Sequence, residues 1–260
     1  MSRALALITG ASSGIGVAYA RQLADDHDFV LVARRADRLA EVADELRKAG
    51  AAVEVLPADL GTREGLDAVT ERLFIGDVRL LISNAGVGGY APLAEVDPAE
   101  IGSLITLNAG ASIQLTRAAL PGMLDAGEGG TITVASLLAF TAGIADPRMP
   151  PRTLYTAAKA ATVAFTRTLA LELADTGVRA QVVCPGVVAT EFNGGYARDL
   201  PFAMTPEGVA QASLAGLKLG ETVCVPGLED QEAALDALLS AETALMGGNA
   251  PIPAGRYRQS

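Results

Sequence analysis

Tyr155 and Lys159 stand four residues apart in "RTLYTAAKAA", residues 152 to 161, a run of helix formers. That spacing puts a phenol and an ammonium one turn apart on the same helix face. A free phenol has a pKa of about 10, too high for an efficient base near neutrality, and a neighbouring positive charge favours its anion. The pair reads as an acid/base with an electrostatic partner. Ser136 follows "TITVA", where a strand-end hydroxyl could bond a substrate oxygen. Asn108 interrupts the otherwise apolar "IGSLITLNAGASIQLTRAAL", and a buried amide there needs partners.

A second constellation lies near the N-terminus. "TGASSGIG", residues 9 to 16, follows an apolar run and precedes the helical pattern "IGVAYARQLA". Gly10 permits a tight strand exit, Gly14 lets a pyrophosphate approach the backbone, and Gly16 allows close packing of the helix. Ser12, Ser13 and Ile15 complete the turn, and the helix N-terminus adds unpaired N–H groups that suit an anion. The second strand exits as Ala33-Arg34-Arg35, with no acid before Asp37. An acid would bond a ribose 2′-hydroxyl, whereas guanidinium groups match a 2′-phosphate, so the pair favours NADP(H) over NAD(H). The same arginines could instead pair with Asp37 or Glu41.

These residues need a scaffold that brings strand ends to one edge. Apolar, β-branched runs recur at 4–9, 29–33, 52–58, 79–83, 131–136, 180–185 and 222–227, alternating with helical patterns. Their near-continuous hydrophobicity predicts strands covered on both faces, hence a parallel sheet with crossover helices. Residues 36 to 49 place Leu39, Val42, Ala43 and Leu46 on one stripe ahead of Gly50, an amphipathic sheet-covering helix. The expectation is a Rossmann-type, doubly wound α/β fold with a seven-stranded parallel sheet and helices on both faces. It spans residues 1–260 as a single domain with a polar tail over 247–260.

At this point the sequence resembles the short-chain dehydrogenase/reductase family in its classical form. The matching pieces are "TGASSGIG", "ADL" at 58 to 60, "NAG" at 84 to 86, Asn108, Ser136, Tyr155 with Lys159, and "PGVVAT" at 185 to 190, in family order. The resemblance implies a dinucleotide site that also takes in Asp59, as an adenine contact, with Leu60, Asn84, Ala85, Gly86, Pro185, Gly186, Val188 and Thr190, the last at the nicotinamide carboxamide. It further implies that Lys159 bonds the nicotinamide ribose. Asn108 would break its helix so that a freed carbonyl holds a water in a proton path to the lysine. A homodimer or homotetramer would form through the helices around 103–120 and 153–174.

One departure stands out. Eighteen residues, "LLAFTAGIADPRMPPRTL", separate Ser136 from Tyr155, more than the family usually places there. Pro150 and Pro151 leave the start of the tyrosine's helix open, and a displaced loop would cost Ser136 its role first. The segment 187–205, with adjacent glycines, aromatics and a proline, suits a substrate lid in which Phe192, Tyr196, Phe202 and Met204 line an apolar pocket or dock into the core.

The resulting expectation is an NADP(H)-dependent oxidoreductase acting on a carbonyl or secondary alcohol of a small to medium, largely apolar substrate. A dinucleotide-binding regulator without turnover is the rival reading. The chain carries 20 Lys plus Arg against 30 Asp plus Glu, net −10, with its basic residues scattered, which argues against nucleic acid or an anionic membrane as partner. The N-terminal apolar run reads as a strand rather than a signal peptide. With one histidine and two separated cysteines, Cys184 and Cys224, no metal-ligand cluster is visible and a reduced, cytoplasmic setting is expected.

Overall fold

A computed structural model describes residues 3–258. Residues 259 and 260 of the predicted tail lie outside the described residues. The seven apolar runs form β1 (Ala4–Thr9), β2 (His27–Ala33), β3 (Val53–Pro57), β4 (Val78–Ser83), β5 (Gly129–Val134), β6 (Val178–Val183) and β7 (Val223–Cys224). They make one parallel sheet in the order β3-β2-β1-β4-β5-β6-β7. The chain winds outward from β1 in one direction to β3, then crosses back to β4 and winds the other way, so the switch point lies between β1 and β4. The last strand is two residues long, shorter than its apolar run suggests, because it pairs only with Val182 and Val183 before Pro226.

Period-two alternation splits the strand residues between two cores. Ala6 and Ile8 of β1 face α1 (Gly14–Gln22), α2 (Ala36–Lys48) and α7 (Pro206–Leu219). Leu7 faces the other way, onto α3 (Arg63–Leu73), α5 (Ala111–Ala126) and α6 (Thr153–Glu172). The predicted stripe Leu39, Val42, Ala43 and Leu46 is buried against the first layer, and Gly50 follows the helix at φ +94°, the left-handed conformation that ends it. Between β4 and α5 runs α4 (Pro98–Ile105), started by Asp97, whose carboxylate accepts from the Ala99 N–H at 2.9 Å.

The chain divides into two compact units, one through Pro226 and one from Gly227. The second consists of α8 (Gln231–Met246), capped by Asp230, and a 3₁₀ turn at Gly255–Tyr257. None of the α8 side chains is buried, and its Leu239, Leu245 and Met246 are exposed. Among the described residues no helix is long and apolar enough to cross a membrane.

Candidate active site and dinucleotide cradle

The carboxyl ends of β1, β4 and β5 bring the predicted groups to one edge. Lys159, on the second turn of α6, is only 4% exposed, and its ammonium donates to the Val134 carbonyl at 2.8 Å, at the end of β5. Burial pushes this lysine down to about 8. Tyr155 is also buried, and burial first, then Tyr90, raises its phenol well above the ordinary value, while Ser136 acts in the opposite direction. The sequence predicts that Lys159 lowers the tyrosine. Instead the ammonium lies 5.7 Å from the Tyr155 ring centroid, tied to a backbone carbonyl, and desolvation dominates.

Ser136 keeps its place despite the long loop. Its hydroxyl accepts from the Leu138 N–H at 3.1 Å, starting a 3₁₀ turn over Leu137–Phe140, and it is a hydrogen-bonding neighbour of the Tyr155 hydroxyl. The remainder of the loop is fastened by Arg152, which donates to the Thr141 hydroxyl at 3.1 Å and the Ile144 carbonyl at 3.0 Å, so α6 begins at Thr153, after both prolines. The extra length is folded on itself.

Asn108 lies in a π-helical turn, Thr106–Gly110, inserted between α4 and α5. One extra residue in the turn disrupts the regular ladder, as π-bulges at functional sites do. Its side chain is spent on Val87, accepting from the N–H and donating to the carbonyl, each at 3.0 Å. Beside it lies a cavity of about 10 Å³, close to the size one water requires, with a mixed lining that includes Asn108, Ser83 and Thr133 beside Leu60, Leu107 and Leu115.

The dinucleotide cradle fits the residues present. Gly10 and Gly14 have φ of +66° and +56°, and a Cβ on Gly16 would come within 2.4 Å of the Gly10 carbonyl, so the helix can start this close to the strand only with glycine. Ser13 caps α1 without a side-chain bond and no acid occupies the first turn, leaving the N-terminal N–H groups to an anion. Asn84 lashes the "NAG" turn to β1 by donating to the Thr9 carbonyl at 3.0 Å. A Cβ on Gly86 would meet the Asn108 Oδ1 at 2.7 Å and the Lys159 Nζ at 3.6 Å, which brings Gly86, Asn108 and Lys159 together.

At the exit of β2, the Arg35 Nε and Nη2 donate to the Ser12 hydroxyl at 3.3 and 3.2 Å, and Arg34 lies 3.9 Å from Asp59. Asp59 also accepts from the Gly61 N–H at 2.9 Å. These partners take the place of the Asp37 and Glu41 offered by the sequence. Leu60 is buried in the core, and Ile15 packs against it while keeping part of its side chain exposed. Pro185 accepts from the Leu137 N–H at 2.9 Å, a Cβ on Gly186 would meet Leu137 at 3.3 Å, and Val188 packs against the core. Ala85 accompanies Asn84 under the Thr9 hydroxyl, and Thr190 caps the next turn by accepting from the Phe192 N–H at 3.2 Å.

The lid residues divide. Phe192 reaches the site, its ring 6.2 Å from Tyr155, whereas Met204 bridges to Val188 and joins the core and Phe202 is exposed. Three participants carry no signal of their own in the sequence. Tyr90, in the loop after β4, packs its ring against Tyr155 in a tilted arrangement, with centroids 5.2 Å apart. Glu191 binds Arg35, and Arg198 binds Glu191. A glycine pair ahead of an aromatic, as in "VGGYA", is the one pattern that could have drawn attention to Tyr90.

Residues 4–200 match the family model described as short chain dehydrogenase. The chain is 34% identical over 219 residues to the ketoacyl reductase HetN of a Nostoc species, covering 82% of this chain and 74% of that one. Among solved structures, it is similar to a short-chain dehydrogenase from Sphingobium yanoikuyae in complex with NADPH, with a TM-score of 0.90, 35% identity, and coverage of 98% and 100% of the two chains. It is also similar to a bulky-bulky ketone specific alcohol dehydrogenase from Comamonas testosteroni, with a TM-score of 0.88, 30% identity, and coverage of 98% and 99%.

Proposed function

The chain belongs to the short-chain dehydrogenase family, and we propose that within it the protein reduces a ketone or aldehyde, or oxidises the corresponding secondary alcohol, with NADP(H) preferred. The substrate is small to medium and largely apolar. The observation that carries this reading is the buried Tyr155, flanked by the Ser136 hydroxyl and one helical turn from a buried ammonium. A protein that only sensed the dinucleotide has no need to desolvate an acid/base in this way.

When bound, the nicotinamide exchanges the hydride. Gly10, Ser12, Ser13, Gly14, Ile15 and Gly16 hold the pyrophosphate through backbone and hydroxyl donors, and Arg34 and Arg35 take the 2′-phosphate. Asp59, Leu60, Asn84, Ala85 and Gly86 line the adenine and ribose side, with Pro185, Gly186, Val188 and Thr190 at the nicotinamide. Charge develops on the carbonyl oxygen, and Ser136 donates a hydrogen bond there while Tyr155 gives up its proton. A phenol raised by burial is protonated at neutral pH, which suits it to act as the acid in reduction. Lys159 holds positive charge beneath it and orients the cofactor, and Asn108 keeps the π-turn and its small cavity in place for proton resupply. Homodimer or homotetramer assembly and a cytoplasmic setting belong to the same reading, the latter on two free, buried cysteines.

The test is loss of NADPH absorbance over a panel of ketones and aldehydes, with wild type and Tyr155→Phe. Turnover by wild type and at least a hundredfold loss in the variant are expected. Turnover that survives in the variant would remove the tyrosine from its role, and none on any substrate would favour the regulator.

A further inference from the structure

The segment after β6 carries a carboxylate that the hydride transfer does not use. The Glu191 Oε2 lies 2.9 Å from the Arg35 Nη1, and its Oε1 lies 3.0 Å from the Arg198 Nη2. Arg35 is thus held from two sides, by Ser12 of the glycine turn and by Glu191 of the lid. The lid also presses on the turn directly, since a Cβ on Gly14 would come within 2.9 Å of the Thr190 methyl. The hydrogen bond from Arg35, foremost, holds the Glu191 carboxyl below its ordinary range, so it is ionised at neutral pH. A groove of about 340 Å³ runs along this seam, lined by Ser12, Ser13, Gly14, Arg38, Glu191 and Arg198 among others.

An anion on the edge of a guanidinium competes for the charge a phosphate monoester needs. A 2′-phosphate and a carboxylate sharing Arg35 repel each other, whereas an uncharged ribose 2′-hydroxyl makes no such demand. We propose that Glu191 is a selectivity residue of the cofactor site, an internal carboxylate on Arg35 that the 2′-phosphate of NADP(H) displaces, releasing the 187–205 lid from the glycine turn, while NAD(H) leaves the clasp closed. Arg198, seven residues on in the same segment, receives the displaced carboxylate. Asn193, Gly194 and Gly195 have φ of 50°, 76° and 77°, a left-handed run shortly after Glu191 about which the segment turns. The inference rests on the reading that Arg35 recognises a 2′-phosphate.

Equilibrium titration of NADPH and of NADH into the full-length protein tests it, with wild type, Glu191→Gln, Arg35→Gln and the double variant. Glu191→Gln is expected to tighten NADPH by about threefold, the scale of a partly exposed ion pair, and to leave NADH within twofold. On the Arg35→Gln background the same change is expected to leave the NADPH/NADH ratio where it was. Hydrogen exchange over 187–205 without cofactor is expected to be faster in Glu191→Gln than in wild type. A wild type that prefers NADH, or has no preference, overturns the 2′-phosphate reading itself. A wild type that prefers NADPH by the same ratio as Glu191→Gln overturns the clasp alone. Should the Gln variant lose its cooperative melt, Glu191→Asp, one methylene shorter, reads the same ratio.

Discussion

Asn108 closes both sides of its amide on a single residue, accepting from the Val87 N–H and donating to the Val87 carbonyl at 3.0 Å each. The contact joins the π-turn of one segment to the loop after β4, behind the turn that the "NAG" glycine keeps close to Lys159. The amide is therefore a clamp on the floor of the site.

Asn108→Ala takes the partner from the partly buried N–H and carbonyl of Val87, a loss of about 1–2 kcal/mol. The expected result is a melting temperature lowered by several degrees together with weaker NADPH binding, because the Gly86 turn loosens with the clamp. Differential scanning calorimetry and a cofactor titration check both. An unchanged melt would show that Val87 has other partners in solution.

Two glycines of the first unit should respond in opposite directions to alanine. Gly86→Ala drives a methyl to 2.7 Å from the Asn108 Oδ1, an overpacking of about 1–3 kcal/mol, and turnover should fall at least tenfold. Gly102, exposed on α4, has open space within 4 Å of where a Cβ would stand and no left-handed φ, so Gly102→Ala should stabilise by about 0.5–1 kcal/mol. Chemical denaturation of the two variants beside wild type measures the contrast.

The pH profile in reduction should carry the lysine. Burial lowers Lys159 to about 8 and raises Tyr155, so over the range in which the lysine discharges the phenol keeps its proton. Activity requiring both the charge and the proton is level below pH 8 and falls above it, toward tenfold per pH unit. The kcat/KM for NADPH reports groups of the free enzyme and is the parameter to follow. A plateau running on past pH 9.5 would contradict the lowered lysine.

The sheet was legible because parallel strands buried on both faces leave continuous apolar runs, and six of the seven appear within a few residues of their expected positions. The seventh shrank to Val223–Cys224, since an apolar run does not reveal how little of its neighbour remains to pair with. Asn108 was conspicuous as an amide in an apolar helix, but Val87 was not, since nothing local links residues 21 apart in sequence. Tyr90, Glu191 and Arg198 lie in loops without periodicity, where a side chain's partner is fixed only after the strands have set the loop ends. The expected lowering of Tyr155 failed for a related reason. Spacing places the ammonium on the right face, but the degree of burial, which outweighs it, is a property of the folded site.

Tyr90 and Ser136 act on the same phenol with opposite sign, and that opposition can be measured. The Tyr90 hydroxyl raises Tyr155, while the Ser136 hydroxyl lowers it. Tyr90→Phe removes the hydroxyl and keeps the ring that packs at 5.2 Å and 51°, so the aromatic contact and the fold persist. In alcohol oxidation Tyr155 must shed its proton, and the rising limb of the pH profile should move to lower pH in Tyr90→Phe and to higher pH in Ser136→Ala. At a fixed pH on that limb the first variant should oxidise faster than wild type by severalfold. The second should be slower by more than its pH shift alone accounts for, because it also loses the bond to the substrate oxygen. If both limbs moved the same way, the two hydroxyls would be acting through the substrate rather than on Tyr155.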